Sequence, residues 1–534
     1  MKQILLFLCT LLCIYGIKAQ EDAWVYLIEK DTETVNASIA NPIDILTQKA
    51  IDRKHTHNIV IDARDVPVNE TYIAQLKAAT GITVMAKSKW FNAVHIRGSV
   101  NDINALTNLD YVDYIEFANK NLNNKKAKEK LQAKFNTTLA NYNYGSTVNQ
   151  VEMIGVNHLH TSGFTGTGIT IAVLDAGFPS VNTMGGFQHL VNSGKIMGTY
   201  NFVNRNNDVY TNTTSNHGTL VLSTMAGYIE NQYVGTAPDA SYYLFITEDD
   251  MDENPVEESY WVEAAERADS LGVDIINTSL GYKAYLNPNY SYNDSNLDGY
   301  TTYITKGANH AFEKGLLLVN SAGNDSNSIV DAPSDSPNVL SIGAVNASGS
   351  YAGSSVGSNI QPTQKPDVMA QGQGTSVITE NNTIATSNGT SFSSPIMAGG
   401  IACLWQALPN KSNTEIMQIV RKSASQYTNP DYQYGYGIPN LWLAYNNNTL
   451  PVETNTENKN ISIYPNPVLN HLYIKQTTNK PLQITVFNGI GKLVFQQSHS
   501  GQQDPINVSY LSSGLYMIRI QSEFTTKTIK FLKQ

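Results

Sequence analysis

Residues 388–395 read Asn-Gly-Thr-Ser-Phe-Ser-Ser-Pro and lead into an apolar run that begins at Ile396. Small residues before an apolar, helix-competent run predict that Ser391 lies at a loop-to-helix junction. Backbone N–H groups at a helix start are unpaired, so they stabilise negative charge that develops beside the hydroxyl. Pro395 is expected in about the first turn, where a missing N–H is tolerated. The pattern therefore predicts a nucleophilic serine.

A serine hydroxyl needs a base to take its proton and an acid to orient that base. The apolar run 169–174 predicts a buried parallel strand, and it ends in Asp175, at the strand edge where α/β proteins place their sites. His217 precedes an amphipathic helical segment at 220–226. The sequence thus predicts a catalytic triad in the chain order Asp175, His217, Ser391, which is the order of subtilisin.

Five sequence blocks resemble those of the subtilisin-like serine proteases, and together they span roughly residues 145–447. The catalytic blocks are Ile-Ala-Val-Leu-Asp-Ala-Gly at 171–177, Asn-His-Gly-Thr at 216–219 and the serine block at 388–395. Two further blocks, Ile-Asn-Thr-Ser-Leu-Gly at 276–281 and Ser-Ala-Gly-Asn at 321–324, resemble the family's substrate-binding strand and oxyanion-hole segment.

The resemblance implies a role for each block in peptide-bond hydrolysis of protein or peptide substrates. Asn324 would form the oxyanion hole together with the Ser391 backbone N–H. Ser279, Leu280 and Gly281 would pair in β fashion with an extended substrate backbone. The chemistry requires no metal and no cofactor. An enzyme with these roles is a serine endopeptidase that acts through an acyl-enzyme intermediate.

Two residues differ from the family's pattern, and neither is a member of the predicted triad. Ala176 replaces the commoner Ser or Thr after the aspartate, and Leu220 replaces the usual His after Gly-Thr. Because neither position supplies a triad atom, we expect these changes to affect the rate and the pH profile rather than the type of reaction.

The predicted elements independently favour an α/β fold, a doubly wound and mostly parallel sheet in a catalytic domain at 146–447. Strand candidates at 169–174, 241–246, 273–278, 316–320 and 339–345 alternate with helical spacing at 260–271 and 303–312. This alternation predicts a parallel sheet with helices on both faces. Asp175, Ser279 and Asn324 each follow a strand end, where such sheets form their sites.

The N-terminus predicts export, and the composition excludes several partners. Residues 1–19 combine Lys2, an apolar stretch and the small Ala19, as in a secretory signal peptide. The signal contains two of the three cysteines, so the exported chain keeps only Cys403, which we expect in the core. No intramolecular disulfide can then form. A net charge of −10 argues against a nucleic acid or an anionic membrane as the main partner.

Residues 20–120 predict a separate α+β domain. Strands are expected at 24–28, 82–86, 92–96 and 111–117, and helices at 43–51, 70–79 and 100–106. The domain is similar to the inhibitory propeptides of subtilisin-like proteases, and an unrelated accessory module is the alternative. Residues 121–145 form the expected linker, since 119–134 holds six lysines against one glutamate. We expect maturation to cut between this run and about Gln150.

The C-terminal region predicts a small β-sandwich at 461–534 after a polar linker at 448–460. Strand candidates lie at 482–488, 492–495, 514–520 and 527–531, separated by Gly, Asn and Ser turns. Tyr-Pro-Asn-Pro at 464–467 and Leu-Ser-Ser-Gly-Leu-Tyr at 511–516 resemble the type IX secretion sorting domain. The resemblance implies passage through a Gram-negative periplasm by the type IX machinery, towards a secreted or cell-surface location. A carbohydrate-binding or adhesive module is the alternative.

A Tyr- and Asn-rich insertion occupies residues 282–302. Asp294, Asn296 and Asp298 alternate in it before Gly299, which is similar to the start of a calcium loop, but the twelfth position is Thr305 rather than Glu. A structural calcium ion is one interpretation, and a turn-rich surface loop that shapes specificity near the substrate cleft is the other.

Two further functions compete with proteolysis. An inactive surface or adhesion protein could keep the fold, which the insertion and the C-terminal domain favour. A third hypothesis keeps the triad but hydrolyses esters. Fluorophosphonate labelling, followed by separate assays on casein and on a simple ester, distinguishes the three.

Overall fold

A computed structural model describes residues 20–122, 142–211, 213, 215–249, 253–449, 462–475, 481–488, 492–500, 504–521 and 526–534. The predicted signal peptide and most of the predicted maturation linker lie outside these residues. The chain divides into two compact units, one ending at Thr449 and the other beginning at Leu450. Within the described residues, no helix has the length and apolarity that a membrane span needs.

The N-terminal part of the first unit is an antiparallel four-stranded sheet in the order β2-β3-β1-β4, with helices beside it. Its elements are β1 Gln20–Leu27, α1 Thr32–Ala40, α2 Gln48–Thr56, α3 Glu70–Ala78, β2 Ile82–Ser88, β3 Ala93–Ser99, α4 Val100–Ala105 and β4 Val112–Phe117. Apolar residues from the sheet and from α3 and α4 form a separate core. The predicted α+β fold of this region is confirmed.

Two helices of this region differ from the sequence prediction. The helix expected at 43–51 is a 3₁₀ turn at Pro42–Asp44 followed by α2, which starts later because the Thr47 side chain caps it by accepting the Ala50 N–H at 3.2 Å. Helix α1 was not predicted. It buries none of its residues, so it lacks the apolar stripe on which helix prediction depends.

The catalytic part contains a seven-stranded, fully parallel sheet in the order β13-β12-β11-β10-β5-β9-β6. Its elements are α5 Val148–Glu152, α6 Val156–Thr161, β5 Thr170–Asp175, α7 Gln188–Asn192, β6 Ile196–Asn201, α8 His217–Ala226, β7 Tyr228–Ile229, β8 Tyr233–Val234, β9 Ser241–Ile246, α9 Val256–Leu271, β10 Ile275–Thr278, α10 Tyr303–Glu313, β11 Leu317–Ser321, β12 Val339–Val345, β13 Val368–Gln371, β14 Thr375–Ile378, β15 Ile384–Ser387, α11 Thr390–Ala407, α12 Asn413–Lys422 and α13 Leu441–Thr449. The predicted doubly wound α/β architecture is confirmed.

Helix α11 runs through the core of the catalytic part. Every residue of this helix is buried except Ser391, its second residue. Cys403 lies in its buried portion, as expected. The prediction that Pro395 lies in about the first turn is wrong, because Pro395 is the sixth helical residue. Its missing N–H leaves the Ser391 carbonyl without a helical donor, and the Ser279 hydroxyl donates to that carbonyl instead, at 2.9 Å.

The N-terminal sheet packs against α9 and α10 of the catalytic part. Trp24 stacks on Tyr303 with ring centroids 4.5 Å apart, and its Nε1 donates to Ser259 Oγ at 2.7 Å. On α9, Glu266 accepts hydrogen bonds from the loop between β2 and β3. The aromatic contacts belong to the same apolar cluster as the catalytic core, so the two parts form one packed unit.

Helix α13 shows where the first unit ends. The polar linker was predicted to begin at residue 448, but α13 extends to Thr449. Leu441 and Ala444 are buried, and the Leu441 N–H donates to Ile154 O at 2.8 Å. The asparagines at its end belong to an exposed face of a packed helix, which explains why composition alone suggested a linker.

The second unit consists of two antiparallel sheets with their own apolar core. Its strands are β16 Ser462–Tyr464, β17 His471–Lys475, β18 Leu482–Asn488, β19 Leu493–His499, β20 Ile506–Asn507, β21 Gly514–Gln521 and β22 Thr526–Lys533. One sheet has the order β16-β17-β20 and the other β19-β18-β21-β22. A strand-rich C-terminal domain, as predicted, is confirmed.

Candidate active site

Asp175 and His217 are hydrogen bonded at the carboxyl edge of the parallel sheet. Asp175 ends β5 and is fully buried, and its Oδ1 lies 2.7 Å from His217 Nδ1 at the start of α8. The same oxygen accepts the Ala176 N–H at 2.8 Å. Gly218 allows this approach, because a Cβ there would lie 2.5 Å from Gly177 O and 3.1 Å from Asp175 Cβ. This arrangement fixes the ring orientation of His217.

Ser391 lies at the start of α11, which packs against α8. Its Oγ donates to Ser279 O at 3.3 Å, while the Ser279 hydroxyl bonds the Ser391 carbonyl. The ring of the next residue, Phe392, is 6.0 Å from the His217 ring. The structure therefore brings the predicted serine, histidine and aspartate to one edge of the sheet.

Asn324 follows β11 and reaches the N-terminus of α11. Its Oδ1 accepts hydrogen bonds from Thr390 N at 2.8 Å and from Thr390 Oγ1 at 3.0 Å. Thr390 Oγ1 also accepts the Gly323 N–H at 3.2 Å. With its oxygen engaged, Asn324 has its Nδ2 group without a hydrogen-bond partner among the described residues. An amide donor is thus held beside the candidate nucleophile.

The predicted substrate-binding residues Ser279, Leu280 and Gly281 follow β10 directly. Ser279 is buried, Leu280 is partly buried and Gly281 is exposed. The Leu280 carbonyl accepts a hydrogen bond from the Asn320 side chain at 3.0 Å, which ties this stretch to β11. The stretch lies beside Ser391 through the Ser279 contacts described above.

A cavity of about 290 Å³ lies beside His217, and the sequence prediction missed its acidic lining. The lining comprises Ala176, Ser215, His217, Glu248, Glu253, Glu257, Ser279 and Leu280. Burial raises the pKa of Glu248, and the charges of Glu253 and Asp175 raise it further. Burial also raises the pKa of Glu257, with Glu248 as the next cause. The acidic run after β9 was the only signal in the sequence for this cluster.

The insertion at 282–302 is a turn-rich segment with many exposed residues, and buried tyrosines anchor it to the fold. Tyr282, Tyr285 and Tyr290 are buried, and Tyr290 OH accepts the Asp22 N–H of the N-terminal part at 3.3 Å. Asp294, the first acidic residue of the possible calcium loop, forms an ion pair with Lys283 at 3.0 Å. No group of three acidic, His or Cys side chains in the described residues is placed to hold a metal.

Comparison with known families gives three matches along the chain. Residues 166–437 match the model of the subtilase family, described as Peptidase S8. Residues 22–134 match the Peptidase S8 propeptide domain of Bacteroidota. Residues 462–534 match a secretion system C-terminal sorting domain.

Among curated proteins, subtilisin NAT of Bacillus subtilis subsp. natto is 29% identical over 304 residues, which cover 55% of this chain and 70% of the relative. A subtilisin of Bacillus pumilus is 28% identical over 304 residues, 55% of this chain and 97% of the relative. Among solved structures, the epidermin leader peptide processing serine protease of Staphylococcus aureus aligns with a TM-score of 0.53. It is 15% identical and covers 81% of this chain and 100% of the other, which shows a shared fold.

Proposed function

The chain belongs to the subtilase family of serine endopeptidases, and on that premise we propose that Asp175, His217 and Ser391 form its catalytic triad. The Asp175–His217 hydrogen bond of 2.7 Å is the observation on which this proposal depends most. Ser391, the single residue of α11 that is not buried, is the nucleophile. His217 is the general base, and Asp175 orients it and stabilises the imidazolium.

The reaction follows from these positions. Ser391 Oγ attacks the carbonyl carbon of the scissile peptide bond as His217 Nε2 takes the hydroxyl proton, and the carbonyl oxygen becomes an oxyanion. Asn324 Nδ2 and the Ser391 N–H donate to that oxyanion. When the C–N bond breaks, His217 gives its proton to the leaving amine. Water, activated by the same histidine, then hydrolyses the acyl ester on Ser391.

The domain order supports a precursor that is activated after export. The chain carries a propeptide domain and a secretion sorting domain, so export to a secreted or cell-surface location is indicated. We propose that residues 20–120 inhibit the enzyme until the linker at 121–145 is cut. Their packing on α9 and α10 supports this role. We also propose that the type IX machinery recognises residues 461–534 in the periplasm.

Activity on casein, with Ser391→Ala as the matched variant, tests the proposed function. The matured wild type should hydrolyse casein and react with a fluorophosphonate, and the alanine variant should do neither. Labelling with ester hydrolysis but no casein cleavage would favour the esterase hypothesis. An unlabelled, inactive wild type would favour the adhesion protein.

A further inference from the structure

Asp331 places a carboxylate between the two backbone stretches that flank Ser391. A Cβ built on Gly281 would lie 3.0 Å from Asp331 Cβ, and one built on Gly323 would lie 2.9 Å from Asp331 Oδ2. Gly281 ends the substrate-binding stretch, and Gly323 precedes Asn324. A Cβ on Gly323 would also lie 2.5 Å from Ser355 Oγ, so side chains are crowded at both positions. Glycine backbone therefore faces Asp331 at both positions.

This carboxylate is near the reaction centre. Ser279 contacts Ser391 directly, and Gly281 is two residues further along an extended stretch, a span of about 6.6 Å. On the other side, Gly323 is next to the candidate oxyanion donor. Ala332 fixes the position of Asp331, because its carbonyl accepts the Tyr282 N–H at 2.9 Å. A substrate residue whose carbonyl is bound at Ser391 would therefore have its side chain near Asp331.

Asp331 is partly buried, and its carboxylate forms no hydrogen bond or close ion pair with the described residues. The nearest charge of opposite sign is on Lys283, which bonds Asp294 at 3.0 Å and Ser328 at 2.6 Å instead. Burial raises the pKa of Asp331 to about 6. The charge of Lys283 opposes this shift, and the charges of Asp325 and Asp294 add to it. A buried carboxylate without a partner is costly, and a bound cation would relieve the cost.

We propose that Asp331 forms the acidic end of the pocket for the substrate residue that precedes the scissile bond, and that the protease prefers Lys or Arg there. The proposal rests on the proposed function, because it assumes that Ser391 attacks a peptide carbonyl. Aliphatic stems of Lys and Arg pack along the glycine backbone, while the cationic head pairs with the carboxylate. The main-chain pairing at Ser279–Gly281 is independent of this preference.

One other feature of the chain fits a basic substrate. The linker in which we expect maturation is rich in lysine, with six lysines and one glutamate at 119–134. A protease selective for basic residues would therefore accept its own linker as a substrate.

Matched peptides that differ only at the residue before the scissile bond test the proposal. Lys, Arg, Gln, Leu and Phe are compared by kcat/KM for the matured enzyme, with active sites counted by fluorophosphonate titration and cleavage positions read by mass spectrometry. Wild type should cut the Lys and Arg peptides at least tenfold faster than the Gln and Leu peptides. Asp331→Asn should lower kcat/KM about 10- to 100-fold for the Lys and Arg peptides and change kcat/KM for the Leu peptide little. 4-Aminobenzamidine should inhibit the wild type competitively and the variant much less.

Asp325→Asn is the control, because Asp325 is an exposed acid on the same segment and its loss changes the net charge equally. It should leave the Lys-to-Leu ratio within about threefold of wild type. A wild type that prefers Leu or Phe would overturn the proposal. An Asp331→Asn variant whose kcat/KM falls equally for all the peptides would also overturn it. In either case, a wild type that still titrates with the fluorophosphonate and still cleaves casein would show that the proposed protease function stands. Failure to titrate the wild type would instead contradict the proposed function itself.

Discussion

The side-chain oxygen of Asn324 accepts the backbone N–H of Thr390 at 2.8 Å, so the amide of Asn324 is held with its nitrogen free of any partner among the described residues. Thr390 immediately precedes Ser391 at the start of α11. The candidate oxyanion donor and the candidate nucleophile are therefore linked through Thr390.

The first prediction concerns this donor. Asn324→Leu removes a hydrogen bond that forms only in the transition state, so kcat should fall by roughly 10² to 10³ while KM changes little. That magnitude is the one known for the corresponding donor in subtilisin, and we apply it by family membership. Steady-state kinetics normalised to fluorophosphonate-titrated sites measures it.

The control for Asn324→Leu is Ser326→Ala, an exposed neighbour on the same loop, which should keep the wild-type kcat. If Asn324 only stabilised the backbone turn after β11, Asn324→Leu would lower the yield of folded enzyme and leave kcat per titrated site unchanged. That result would remove Asn324 from the mechanism.

The second prediction concerns inhibition by the N-terminal domain. Glu266 on α9 accepts hydrogen bonds from Ser88 Oγ at 2.5 Å, Lys89 N at 2.9 Å and Trp90 N at 2.9 Å. Glu266→Ala removes the acceptor and leaves two backbone N–H groups unpaired in the interface, so the inhibition constant of added residues 20–122 should rise at least tenfold. Catalysis on a small peptide should not change, and a rise in KM or a fall in kcat would contradict this assignment.

Glu266 also makes that inhibition depend on pH. Burial raises the pKa of Glu266 in the complex to about 7, and after dissociation it should return to its ordinary value near 4.3. The complex then binds the proton more strongly than the free enzyme, so inhibition is strongest below about pH 4.5 and weakens as pH rises to about 7. Glu266→Gln should abolish this slope. Equal slopes in both proteins between pH 5 and 7 would show that another group is responsible.

The third prediction concerns a buried ion cluster between the two parts of the first unit. Lys54 Nζ lies 2.7 Å from Asp269 Oδ1 and 3.1 Å from Asp65 Oδ1, with all three side chains fully buried. Lys54→Met leaves Asp269 with Arg53 and Asp65 with Lys314 as the remaining cations, and it should lower the precursor's stability by about 3 kcal/mol or less. Thermal unfolding of the uncleaved Ser391→Ala precursor measures this, with exposed Lys77→Met as the control. Equal melting temperatures for the two lysine variants would contradict it.

The fourth prediction concerns the C-terminal unit, which has its own apolar core. Deleting residues 461–534 should leave kcat/KM unchanged, because all the proposed catalytic residues lie in the first unit. In the native host the truncated protein should accumulate in the periplasm. Normal release of the truncated protein would show that this unit is not the sorting signal.

The residues of the proposed triad could be singled out from the sequence because each follows or opens a local apolar pattern. Asp175 ends an unbroken buried strand, and Ser391 precedes an unbroken buried helix. Asp331 and Glu266 gave no such signal. Their significance depends on contacts that form only in the folded chain, with Gly281 and Gly323 in one case and with Ser88, 178 residues earlier, in the other.

Site mapping of the fluorophosphonate adduct shows whether Ser391 is the nucleophile and His217 its base. The matured wild type is labelled, digested and analysed by mass spectrometry, beside His217→Ala and Ser391→Ala. We expect one adduct per molecule, on Ser391, with labelling strongly slowed in the histidine variant and absent from the serine variant. An adduct on another residue, or equally fast labelling of the His217→Ala protein, would contradict the triad.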